Sequence, residues 1–193
     1  MKTAFLKCGP ILLALAASGC TTSTGGSAGA AGGVEVGRFH LGEQTIARAQ
    51  IAVEPFDRAD ANQPGYAAYA AAVGRELTRL GWTVVPATAR SEQVALIDVQ
   101  QGSREAIAAL TAARIGRGVS PLPAEGSAAN VTATLLEVGI RRRSDATVFW
   151  EGRAVTEARA GTAGASATAA VERLAAALFR DFPGQSGRIV RVR

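Results

Sequence analysis

One stretch of this chain cannot fold on its own, and it divides everything around it. From Thr21 to about Gly37 nearly every residue is Thr, Ser, Gly or Ala. Side chains that small bury too little apolar surface to offset the entropy lost on ordering the backbone. The run reads as a flexible tether. For about 17 such residues, a reach of roughly 5–6 Å times the square root of the length gives about 20–25 Å. Residues 1–19 are then a separate leader, and residues 38–193 hold everything able to build a core. About 150 residues suit one hydrophobic core and leave little room for a second domain.

The leader has the parts of an export signal. Lys2 and Lys7 supply a positive start, Ile11 to Ala17 form a short apolar core, and small residues lead to Cys20. A membrane-spanning helix is excluded by length. The apolar run falls well short of the roughly 20 residues needed to cross a bilayer, and Gly9-Pro10 interrupts it. Leu15-Ala16-Ala17-Ser18-Gly19-Cys20 resembles a bacterial lipobox, with alanine rather than leucine at the third position before the cysteine. That resemblance implies cleavage before Cys20 and acylation of its thiol, and several acyl chains exceed the two signals that stable anchoring requires. A residue other than aspartate after the cysteine, here Thr21, implies in Gram-negative lipoproteins an outer-membrane destination with the domain facing the periplasm. Cys8 would leave with the signal. Cys20 would then have no disulfide partner in an oxidising compartment.

Both lysines lie in the leader, so the remaining chain has 19 arginines against 16 acidic residues, a balance of +3. Such a mild excess creates no strong field. Nucleic acid is an improbable partner in the expected compartment, and no aromatic residues interleave the arginines as a stacking platform would need.

Periodicity then sketches the folded part. Arg48 to Phe56 reads as a strand ending near Pro55. Tyr66, Tyr69, Val73, Leu77 and Leu80 recur every three or four residues, the stripe of a helix that stops at Gly81. Trp82 to Val85 is a short strand. Val94 to Val99 is an apolar run that suits a central strand covered on both faces. Ser103 to Arg114 has a helical alanine content, Gly116 to Gly126 reads as loop, and the region between Gln100 and Asn130 stays ambiguous. Val131 to Ile140 and Thr147 to Ala158 form a β-hairpin joined by Arg141 to Asp145. Ala165 to Phe182 is a second helix striped by Val171, Leu174, Leu178 and Phe182, and Arg188 to Arg193 alternates as a final strand. The expected architecture is α+β: a mixed, mostly antiparallel sheet with two long helices packed on one face. With so few aromatics, the two tryptophans and six phenylalanines are expected in the core.

Five short segments in this order carry a family resemblance. They are Glu54-Pro55-Phe56-Asp57, Leu80-Gly81-Trp82, Val94 to Val99, Val148-Phe149-Trp150-Glu151-Gly152 and Phe182-Pro183-Gly184. Together, behind a lipobox, they resemble the domain-of-unknown-function family 4136, a group of bacterial lipoproteins with a single α+β domain. That family usually shows an acidic residue just before the buried strand, where this chain has Gln93 and Val94. The resemblance implies fold and location, and the family offers no established activity.

Motifs for catalysis are sparse. His40 is the only histidine, which rules out an H-E-x-x-H zinc site, and it reads as a surface residue. Gly25-Gly26-Ser27-Ala28-Gly29 matches G-x-S-x-G, but it lies in the tether rather than between a strand and a helix. No lysine survives for a Walker loop, and no cysteine cluster exists for a metal. Asp57, Arg58 and Asp60 read as turn residues. Glu54, Glu137 and Glu151 approach one another across the sheet only if the registers allow it, and otherwise form a solvated strand face. Trp82 and Trp150 read as core anchors. Arg141-Arg142-Arg143, expected at a hairpin tip, is the sharpest charge cluster and a candidate contact for an acidic partner or anion.

The expectation is a non-enzymatic, lipid-anchored envelope protein with no cofactor and no metal. Its domain would bind an envelope protein or a cell-wall component such as peptidoglycan. The alternative is a carrier of a small apolar ligand or lipid held between helices and sheet.

Overall fold

The computed structural model describes residues 33–42, 46–113 and 130–192. They form a seven-stranded mixed sheet with three α-helices. The elements run β1 (Val34–His40), β2 (Gln50–Pro55), α1 (Tyr66–Arg79), β3 (Thr83–Val85), β4 (Gln93–Gly102), α2 (Arg104–Ala113), β5 (Val131–Arg142), β6 (Val148–Arg159), α3 (Ala167–Leu178) and β7 (Arg188–Val192). Spatial order is β3-β2-β4-β5-β6-β1-β7. The β2 pairings with β3 and β4 are parallel, whereas those of β4–β5, β5–β6, β6–β1 and β1–β7 are antiparallel.

Two corrections concern where the domain begins and how the sheet is covered. Val34 to Gly37, expected in the tether, belong to β1, which lies between β6 and β7 with Val36 fully buried. The folded domain therefore includes Val34 to Gly37. The two long helices do share a face, but α2 packs on the opposite one. Ile107 of α2 sits on Ala133, Leu135 and Val155, while the alternate residues Leu136, Val138 and Ile140 face α1 and α3. Period-two alternation separates these sets. The segment expected as a loop at Gly116 to Gly126, the whole leader, Cys20 and the G-x-S-x-G match in the small-residue run lie outside the described residues.

The α1/α3 layer forms the main core. Val171, Leu174 and Leu178 of α3 and Val73 and Leu77 of α1 are fully buried, and each such side chain contributes about 1.5–3 kcal/mol by leaving water. Trp150 stacks on Phe179 and lies 5.2 Å from Phe182, whose edge meets Trp82 at 5.4 Å. Both tryptophans are thus core anchors. Phe56 is not, being 46% exposed on the other side of the sheet.

Arginines are put to structural use at helix ends, where the last carbonyls need donors. Arg38, only 4% exposed, donates from Nε to the Leu178 carbonyl at 2.8 Å and from Nη2 to that of Ala177 at 3.0 Å. Burial lowers its pKa, and Asp181 opposes that shift. Arg48 likewise caps α1 through the Leu80 carbonyl at 2.8 Å. Gln93, standing where the resembled family favours an acid, accepts from Trp82 Nε1 and donates to the Ala47 carbonyl. A carboxylate could accept but not donate.

Candidate functional site

Among the described residues, the second face of the sheet is half covered. Helix α2 sits over the Gly102 end of β4, where Arg104 is held by Glu157 at 2.7 Å and by Glu35 at 3.1 Å, with Arg191 reaching Glu35 at 2.6 Å. Toward the other end, two ladder pairings place Asp98 of β4 opposite Glu137 of β5, and Glu137 opposite Arg153 of β6. One step along, Gly139 pairs with Glu151. Because alternate residues share a face, Asp98, Glu137, Gly139, Arg141, Glu151 and Arg153 converge on one cleft, with Phe56 and Leu96 as its apolar wall.

Its electrostatics are unusual for a strand surface. Asp98 is 7% and Arg153 8% exposed. Arg153 Nε donates to Glu137 Oε1 at 2.6 Å, while its Nη1 is buried with no hydrogen-bond partner among the described residues. Arg141 Nε is buried and unpartnered in the same way. An unpaired buried donor costs about 1–3 kcal/mol, more when charged. Arg141 lies under Phe56, its guanidinium 5.4 Å from the ring centroid. Gly139 lies beneath both side chains, since a Cβ there would stand in ordinary contact with Arg141 Nε at 3.6 Å and Glu151 Cγ at 4.0 Å.

The arginine triplet does not act as one tip cluster. Arg141 and Arg142 are still in β5, on opposite faces. Arg142 lies over Phe149 and pairs with Asp145 at 2.7 Å. Arg143, in the turn, donates to Glu54 at 2.6 Å and to the Ser91 carbonyl at 2.9 Å. The Glu54 bond raises the Arg143 pKa, with burial opposing it. Only Arg141 reaches the cleft.

Of the three glutamates read as a strand face, Glu137 and Glu151 share the cleft, whereas Glu54 is engaged by Arg143. Burial pushes Tyr66 up to about 12, with the Glu54 charge adding to the effect. Asp57 caps a short 3-10 turn by accepting from Ala59 N at 2.9 Å, and Asp60 accepts from the Gln63 amide, so these are turn residues. His40 uses both ring nitrogens: Nδ1 accepts from Gly42 N at 3.2 Å and Nε2 faces the Gly184 carbonyl at 3.0 Å. In the neutral ring this fixes the proton on Nε2.

Sequence reasoning passed over Asp98 and Arg153. A signal existed: charged or glycine residues alternate at 137, 139, 141 and at 151, 153 in segments otherwise patterned as strands. No group of three or more metal-ligating side chains occurs among the described residues, and no helix there is long and apolar enough to cross a membrane.

Among the described residues, fold and site define a single-sheet α/β domain with one packed face and one half-open, charge-lined face. Comparison with known proteins adds little to that class. No family model matches the chain. It is 25% identical over 213 residues of alignment to the uncharacterized protein ZMO1243 of Zymomonas mobilis, covering 83% of this chain and 80% of that one. Among solved structures, a PDZ domain protein from Parabacteroides distasonis superposes with a TM-score of 0.48 and 12% identity, over 82% of this chain and 38% of that one. A PelC dodecamer subunit from Paraburkholderia phytofirmans gives 0.43 and 9%, over 75% and 93%. At TM-scores below 0.5 neither likeness defines the fold.

Proposed function

We propose that this chain is a non-enzymatic envelope lipoprotein of the kind grouped in family 4136. Cys20 carries the lipid that holds it at the outer membrane, and the domain binds an envelope protein or a cell-wall component on its periplasmic side. The half-open sheet face carries the binding reading. Its buried guanidinium donors are only partly satisfied from within the domain, and buried polar groups are otherwise paired as a rule. Support for the anchor comes from Leu15 to Cys20 and the small-residue run after them. The alternative, an apolar-ligand carrier, draws no support from the layer between α3 and the sheet, where Trp150, Phe179, Leu174 and Leu178 are fully buried.

The full chain and its Cys20→Ser variant, expressed in a host with two membranes, test the anchor by intact mass and fractionation. Acyl mass and outer-membrane sedimentation are expected for the first alone. Crosslinking of the anchored form should then recover a reproducible envelope protein or wall fragment. Two soluble, unacylated products would overturn the anchor, and an anchored protein with no reproducible companion would overturn the binding role.

A further inference from the structure

The cleft beside Gly139 encloses a cavity of about 50 Å³. At about 10–15 Å³ for each water-sized occupant, it admits a group of about three or four such units. Its chemistry restricts that group further. Arg141 Nε and Arg153 Nη1 are buried donors without acceptors among the described residues, so an occupant that presents oxygens gains bonds that those residues do not supply. A bare anion fits poorly, however. Asp98, Glu137 and Glu151 set three carboxylates against the two guanidiniums around the cavity, and another negative charge would deepen that imbalance. A bare cation would leave both orphan donors as they are.

Glu151 resolves the conflict. It stands directly opposite Gly139, and no hydrogen bond or ion pair joins its carboxylate to any described residue. Arg141 Nε and Glu151 Cγ therefore flank the same glycine, 3.6 Å and 4.0 Å from where a Cβ would stand. Their side chains line the cleft with Phe56 and Leu96 as its apolar wall.

We infer that this cleft binds the zwitterionic head of an α-amino acid, its carboxylate on the Arg141 and Arg153 guanidiniums and its ammonium on Glu151. Such a head comes free or as the end of a diamino acid in a wall peptide. Arg141 Nε–H, buried and without an acceptor among the described residues, is the atom that reports occupancy. The inference rests on the reading of the domain as a binding module, but not on the anchor.

Arginine Hε resonances in the full-length Cys20→Ser chain can be followed by NMR during titration with alanine of either hand, N-acetylalanine, alaninamide, acetate and soluble muropeptides. Alanine or a muropeptide should shift the Arg141 and Arg153 Hε signals. N-acetylalanine and alaninamide should each bind roughly tenfold more weakly or worse, the loss expected when one charged contact is removed. Glu151→Gln should make alanine and N-acetylalanine equivalent, and Arg141→Gln should abolish both responses, with unchanged spectral dispersion showing that the variants fold. Stronger binding of muropeptides than of alanine assigns the wall as the source, and the reverse assigns free amino acids. No Hε shift with any probe, or acetate binding as tightly as alanine, overturns the inference. The titration reads the cleft alone, so its failure leaves the crosslinking result standing, and an empty crosslinking experiment leaves the titration standing.

Discussion

Gly152 is a residue whose replacement by alanine should be felt through the whole helix-to-sheet layer. Its backbone needs no glycine for conformational reasons. It needs one for space: a Cβ at this position would lie 2.2 Å from the Trp150 ring and 2.8 Å from Leu178 Cδ1. Ordinary contact begins near 3.4 Å, so either the indole or the strand must move by more than an ångström. The indole has nowhere to go. It is fully buried, stacked on Phe179 at 5.2 Å, and tied by Nε1 to the Pro183 carbonyl at 3.0 Å. Overpacking of this kind costs typically about 1–3 kcal/mol, and the depth of the clash places Gly152→Ala near the upper end, about 3 kcal/mol. With a urea slope of about 2 kcal/mol per molar for a domain of this size, the midpoint should fall by about 1.5 M. Equilibrium unfolding followed by tryptophan fluorescence and far-UV circular dichroism measures it. Pairing the change with Trp150→Leu should give a favourable coupling of at least about 1 kcal/mol, since the smaller side chain removes the atoms being struck. A Gly152→Ala domain within about 0.5 kcal/mol of wild type would refute the reasoning, because it would mean the ring can relax out of the way.

Two other outcomes follow from the arginine and aspartate contacts. Arg38→Met should lower stability by about 2–4 kcal/mol, because it leaves the Ala177 and Leu178 carbonyls without their charged donors; thermal unfolding gives the size, and an unchanged midpoint would show that Arg38 does not cap α3. Asp145 should titrate at about 2 rather than at its ordinary 3.8, because the Thr147 backbone amide and the Thr147 side chain, and then Arg142, stabilise its carboxylate. With the folded pKa depressed, its contribution to stability is present above about pH 3.8 and is lost as the pH falls toward 2. A carboxyl carbon shift that titrates near 4 by NMR would contradict the hydrogen bonding of that turn.

Most of the secondary structure was legible because burial was periodic. Tyr69, Val73 and Leu77 sit on α1 where their spacing put them, and Val171, Leu174 and Leu178 do the same on α3. The β5–β6 hairpin and the final edge strand followed from alternation in the same way. The first strand was missed for a physical reason. Val34-Glu35-Val36-Gly37-Arg38 alternates, but it follows a run of glycine and alanine, and Glu35 and Arg38 are buried only because distant partners meet them: Arg104 and Arg191 for one, the end of α3 for the other. A local pattern cannot announce a polar residue whose partner lies far along the chain.

The sequence by itself determined the positions of the helices and hairpin and the scarcity of catalytic motifs, since each depends on residue type and local spacing. The tertiary structure alone decided the strand order, the placement of α2 on the second face, and the fate of the charged residues. Arg141, Arg142 and Arg143 are neighbours in sequence, yet strand alternation and the turn send them to the cleft, to Asp145 and to Glu54. Asp98, Glu137 and Arg153 lie in three separate strands, and only the hydrogen-bond register brings them into one row. Register is fixed by the buried face, where Leu136, Val138 and Ile140 must meet the helices. The packing of the apolar side therefore determined which charges meet on the open one.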